Sequence, residues 1–165
     1  MLNLCRKGSL GLSDDEVRES VQSTDYNDFI ESLKGVAYCN VKKSDGKPRS
    51  SRMDLRDYAK AGLLFLQEQI SFFNPSIILG GDVCDGILND IPEVEWGDDL
   101  YVGPERRICI WQLKIKNITY PFVDMFHPSR TQGMTDYYLE LLHALQAVEK
   151  ERPGFWNKRM AQTCY

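Results

Sequence analysis

The stretch Phe122-Val-Asp-Met-Phe-His-Pro-Ser129 constrains this chain more than any other. It is a short, strand-like apolar run that stops abruptly at His127-Pro128-Ser129. A polar, glycine-containing segment, Arg130-Thr-Gln-Gly133, follows and leads into a helical pattern. Strand, histidine, proline, loop and helix in that order hold one imidazole at the carboxyl edge of a sheet, where ligands of open α/β sheets collect. The rest of the chain must then supply the sheet and its cover.

The candidate strands and helices fall in a consistent order. Gly35-Val-Ala-Tyr-Cys-Asn-Val41 is an apolar run broken by Asn40, as expected of a strand covered on both faces. Asp54 is expected to open a long helix from Leu55 to about Phe73, with Leu55, Tyr58, Ala59, Leu63, Leu66 and Ile70 at three- and four-residue steps. Asn74-Pro75 ends it, because the residue before proline is pushed out of the α region. Ser76-Ile-Ile-Leu-Gly-Gly81 reads as a second buried strand, with Asp82 capping a short helix through Leu88. That order implies a right-handed crossover and a parallel pair. Gly80-Gly81 either lets the backbone approach a ligand or makes a tight turn.

Residues 89–105, rich in turn formers and acidic side chains, read as a loop. Arg107–Lys116 alternates and can pair with Ile118–Phe126 as a hairpin around Asn117. Thr135 is expected to cap a last helix, Asp136–Glu149, that turns Tyr138, Leu141, Leu142 and Leu145 to the core and ends at Pro153-Gly154. Near the start, Ser13-Asp-Asp-Glu16 matches a capping box opening a helix to about Val21, and a second helix is expected around Tyr26–Leu33. Neither has a strong apolar face. The expected organisation is a weakly packed helical segment over 1–33, an α/β domain over 34–150 and a tail over 151–165. The expected fold is a three-layer α/β/α domain with a mainly parallel sheet of about four strands.

Composition removes several classes of function. At 165 residues, 42% hydrophobic and 27% charged, the chain is long enough for one sizeable core. It has no apolar run near the roughly 20 residues that span a bilayer and no secretory signal pattern, so the expected location is cytoplasmic, away from a membrane. Its five cysteines, Cys5, Cys39, Cys84, Cys109 and Cys164, include no close pair, which argues against a disulfide framework or a metal site. Cys39, Cys84 and Cys109 read as small buried hydrophobes. No cofactor is implied.

A net charge of −4 makes no global case for a polyanion partner, but residues 42–52 carry five positive charges against one negative. Such a loop is either a solvated surface or a local guide for phosphate. Of the two histidines, His143 lies among leucines in the last helix and reads as a packing or surface residue. His127 is placed to present its ring, whose neutral form offers one donor and one acceptor. Asn40, interrupting a buried strand, either caps the turn into the basic loop or offers its carboxamide to a nucleobase edge.

Taken together, Val36-Ala-Tyr-Cys-Asn40, the long helix, Pro75-Ser-Ile-Ile-Leu-Gly-Gly81 and Phe122-Val-Asp-Met-Phe-His-Pro-Ser129 resemble the uracil-DNA glycosylase superfamily over roughly residues 34–150. The resemblance implies that Asn40 reads a flipped base and that His127 donates to the base oxygen on which charge develops. It places Ser129 near a DNA phosphate and residues from Arg130 to Met134 in the loop that wedges into the duplex. Lys42 and Lys43 join Ser129 and Arg130 as the expected phosphate contacts, and DNA or a nucleotide is the expected partner.

The glycine-rich, water-positioning motif of that family has no counterpart upstream of Asn40. Arg130 stands where many relatives place an apolar wedge, and the second strand ends in Gly-Gly-Asp in place of a phosphate-binding serine. Base recognition and hydrolysis are therefore separate expectations. A non-catalytic nucleic-acid or nucleotide binding module is the alternative.

Overall fold

The computed structural model describes residues 13–22, 36, 37, 39, 41, 51–104, 107–126 and 134–156. Its contacts divide the chain into two compact units, Met1–Tyr38 with Ser129–Phe155, and Cys39–Pro128 with Trp156–Tyr165. In the first unit, helix α1 (Asp14–Gln22) opens at the expected capping box. The Ser13 N–H donates to Glu16 Oε2 at 2.8 Å, and the Glu16 N–H reaches Ser13 Oγ at 3.4 Å.

The second unit begins its helical layer with α2 (Arg52–Ala61) and α3 (Leu63–Phe73). The expected long helix is thus two, and its N-cap is Ser51 rather than Asp54. Ser51 Oγ accepts from the Asp54 N–H at 3.1 Å, while Asp54 Oδ2 accepts from the Ser51 N–H at 3.2 Å. Gly62, with φ −96° and ψ 6°, leaves the helical region and separates the pair. As expected, α3 stops at Asn74, which turns left-handed (φ 41°) before Pro75.

Among the described residues the sheet has four strands in the order β1-β4-β3-β2: β1 (Ile78–Gly81), β2 (Glu95–Val102), β3 (Ile108–Ile115) and β4 (Ile118–Met125). The hairpin expected around Asn117 is its centre. β3 and β4 pair from Ile108↔Met125 to Ile115↔Ile118 without a break, and Lys116 takes φ 54° in the two-residue turn. β1 runs parallel to β4. The sheet is therefore mixed, with one parallel and two antiparallel pairings, where a mainly parallel sheet was expected.

The parallel partner of β1 is β4, not residues 35–41; residues 36, 37, 39 and 41 are not in a strand, and Val36 is 44% exposed. The expected loop 89–105 contains β2. Its pattern was obscured by bulges. From Trp96 to Asp99 three β2 steps span the two from Leu113 to Trp111, and from Asp99 to Tyr101 two steps span one. Each extra residue breaks the alternation that marks a strand. Gly97 permits this, since a Cβ there would lie 2.6 Å from Gln112 Oε1.

One face of the sheet packs beneath α2, α3 and the turn after β1. Its core includes Ala59, Cys84, Ile87, Ile91, Trp111, Leu113, Tyr120 and Phe122. Trp96 meets Trp111 and Phe122 edge-on, with centroids 5.8 and 5.5 Å apart. The buried Tyr120 hydroxyl donates to Asn74 Oδ1 at 3.3 Å, so the helix-ending residue also satisfies a core hydroxyl. In the first unit, α4 (Met134–Glu151) packs on α1. Among the described side chains of α1, fully buried Val17 meets Leu139 and Leu142. Leu141 and Leu145 are buried as expected, and Tyr138 is half-buried.

Candidate functional site

The carboxyl ends of β1 and β4 finish side by side, at Gly81↔Met125. One more ladder-like bond follows, from the Asp82 N–H to the Met125 carbonyl at 2.7 Å. Asp82 then takes φ 60°, a left-handed conformation that aspartate tolerates better than most residues. Cys84–Leu88 is an irregular turn closed by wide bonds, Leu88 N–H to Val83 O at 3.1 Å and Asn89 N–H to Cys84 O at 3.0 Å. Asp85 (ψ 124°) and Gly86 (φ 69°) leave the helical region inside it, so the short helix expected through Leu88 is reduced to a kinked π-type segment, Cys84–Leu88.

Asp82 does not cap that turn. Its Oδ1 accepts from Arg52 Nη2 at 2.9 Å, and Arg52 Nη1 donates to the Asp85 carbonyl, also at 2.9 Å. A cation in the first turn of a helix opposes the macrodipole. The carboxylate and carbonyl offset that cost by holding the guanidinium against the turn. Arg52 thereby ties the start of α2 to the carboxyl edge of the sheet.

The residue that does hold the turn is Asp124. It lies in β4 between Gly80 of β1 and Cys109 of β3. Its Oδ1 accepts both the Val83 N–H (3.3 Å) and the Cys84 N–H (3.4 Å). Burial raises the Asp124 pKa from 3.8 to about 6; the two backbone N–H groups pull the other way, and the Asp82 and Asp85 charges add to the rise. A carboxyl with that pKa exchanges protons close to neutral pH. Asp124 was not singled out from sequence. Its signal was a lone carboxylate inside the apolar run Phe122–Phe126.

The residues that were singled out, Asn40, Lys42, Lys43, His127, Ser129 and Arg130, lie outside the described residues. Of their sequence neighbours, Cys39, Val41 and Phe126 are described. Phe126 leads from the last paired residue of β4 into His127, and Val41 lies between Asn40 and Lys42. Packing requires glycine at position 80: a Cβ there would sit 2.5 Å from Phe122 Cζ and 3.0 Å from Val83 Cγ2. His143 is exposed, as expected of a surface residue, with Nε2 3.0 Å from Asp14 Oδ1. Cys84 and Cys109 are buried and unbridged; Cys39 is unbridged and half-buried.

An apolar cavity of about 240 Å³ lies at the α2–α3 junction, lined by Val41, Tyr58, Ala59, Gly62, Phe65 and Leu66 among others. It contains none of the charged residues of the edge. Among the described residues no cluster of histidine, cysteine or carboxylate side chains is arranged to hold a metal, and no helix is long and apolar enough to cross a membrane. No protein-family model matches the chain, and neither a curated protein nor a solved structure does.

Proposed function

We propose that this chain is a uracil-DNA glycosylase-like protein that receives a flipped base at the carboxyl edge of β1 and β4, within a three-layer α/β/α fold. Asn40 reads the base, and His127 donates to the base oxygen that gains charge as the glycosidic bond weakens. Lys42, Lys43, Ser129 and Arg130 contact DNA phosphates. The observation that carries this reading is the tie from Arg52 through Asp82 to Met125. Arg52 closes the basic run 42–52, and Met125 stands two residues before His127. The last residue of the run and the strand end that precedes the histidine therefore meet at one edge of one compact unit.

The charge at this edge favours an enzyme over a simple phosphate binder. Three carboxylates, Asp82, Asp85 and Asp124, interact there, with the Arg52 guanidinium already paired to Asp82. Such a site stabilises the positive charge that develops on a sugar as its base departs, and the phosphate contacts fall to the basic run and the segment after His127.

The test is incubation with uracil-containing single- and double-stranded oligonucleotides, followed by alkali to reveal abasic sites. Cleavage should fall by about 100- to 1,000-fold in His127→Ala, the range for loss of one donor to a developing anion. Cleavage no greater than that of His127→Ala in both substrates sinks the enzyme reading. Binding without cleavage, weakening steeply with salt, would leave the alternative of a non-catalytic nucleic-acid or nucleotide binding module.

A further inference from the structure

We propose that Asp124 is the general base of this edge, its Oδ1 fixed by the Val83 and Cys84 N–H groups and its Oδ2 left to take a proton from water. The assignment rests on the glycosylase-like reading and supplies the water-activating group that the sequence upstream of Asn40 lacks. A general base needs a fixed orientation, one oxygen with spare acceptor capacity and a pKa near the working pH.

Asp124 meets each requirement. Both of its hydrogen bonds to described residues converge on Oδ1, so the carboxyl is held from one side. Oδ2 has no hydrogen-bond partner among the described residues, and it is not one of the fully buried unpartnered side-chain atoms, which are Gln69 Oε1 and Trp96 Nε1. Asp124 also precedes His127 by three residues on the strand that leads to it.

The oxygen of water bonds to C1′ of the target nucleotide as the C1′–N bond breaks. The bonding pair leaves with the base, whose oxygen is stabilised by a hydrogen bond from His127. One water proton passes to Asp124 Oδ2 and is later returned to the departed base. The products are an abasic sugar and the free base.

Burial sets the proton affinity of Asp124 first, opposed by the Val83 and Cys84 N–H groups and reinforced by the Asp82 and Asp85 charges of the turn after β1. Of the other elements around it, α2 faces this turn with Arg52, paired to Asp82, and β3 places Cys109 at the paired position. Cleavage by the wild-type protein should rise with pH through about 6 as Asp124 ionises, and then level.

Asp124→Asn keeps a carbonyl oxygen to accept from Val83 and Cys84 but cannot take the proton. At pH 7.5 it should cleave about 100- to 10,000-fold more slowly and lose the limb near pH 6. Asp82→Asn removes a charge that raises the Asp124 pKa, so it should move that limb to lower pH. This variant tests the assignment even if Asp124→Asn fails to fold. If the wild type cleaves and Asp124→Asn cleaves as fast, or if Asp82→Asn leaves the limb in place, the assignment of Asp124 alone fails. If the wild type opens no abasic site in either oligonucleotide, the glycosylase-like reading fails and takes this assignment with it.

Discussion

The β3–β4 hairpin and the turn after β1 belong to the same unit and are built by opposite means. The hairpin pairs over eight residues without interruption, and most of its side chains are buried and apolar. The turn holds two positive-φ residues, Asp82 and Gly86, and closes by wide hydrogen bonds. Charge holds it in place, through Arg52 on Asp82 and Asp124 on two backbone N–H groups. Apolar burial supplies a rigid frame that needs no chemistry. The charged turn is held by polar groups in fixed orientation, the Arg52–Asp82 pair and the two N–H groups on Asp124. The two regions meet in β4, where Phe122 belongs to the frame and Asp124, two residues on, belongs to the turn.

The contrast is most easily broken from the frame side. Phe122 is 3% exposed and touches both Trp96 and the bare face of Gly80. Phe122→Ala should cost about 3–5 kcal/mol in urea unfolding, as expected for a buried aromatic. A loss below about 1 kcal/mol would mean that the frame does not hang on this ring. Gly80→Ala should cost less, about 1–3 kcal/mol, because the added methyl overpacks the ring. Combining it with Phe122→Leu should recover part of that loss if the clash is the cause, and strict additivity would contradict it. On the turn side, Arg52→Ala should change global stability by under about 1 kcal/mol, since half of that side chain is exposed. Amide exchange from Val83 to Asn89 should nevertheless accelerate while β3 and β4 stay protected. Equal acceleration in both regions would show that they are not separable.

The same division governs what was legible in the sequence. The hairpin was readable because alternation in Arg107–Lys116 and the turn residue Asn117 obey local rules. The capping box at Ser13 and the stop at Asn74-Pro75 are equally local. β2 was not readable, because two bulges move its side chains out of alternation and its glycine and aspartates mimic a loop. The break at Gly62 hid because apolar residues continue at helical steps across it. The parallel partner of β1 could not be found from sequence order, since β4 lies about 40 residues away and strand order is a long-range property. Of the candidate site, the strand that runs toward His127 was legible. The pair Arg52–Asp82 and the role of Asp124 were not, because both depend on contacts between residues 30 or more positions apart.

The central claim is that a nucleobase is received at the carboxyl edge of β1 and β4. It is tested most directly by titrating the ¹⁵N-labelled protein with a uracil-containing single-stranded oligonucleotide and following the amide signals. The account predicts that Asp82, Val83, Cys84 and Phe126 shift together and saturate at one ligand concentration, with β3 unmoved. Shifts confined to the exposed apolar residues of α3, such as Leu64 and Phe72, or no shifts at the edge at saturating DNA, would contradict it.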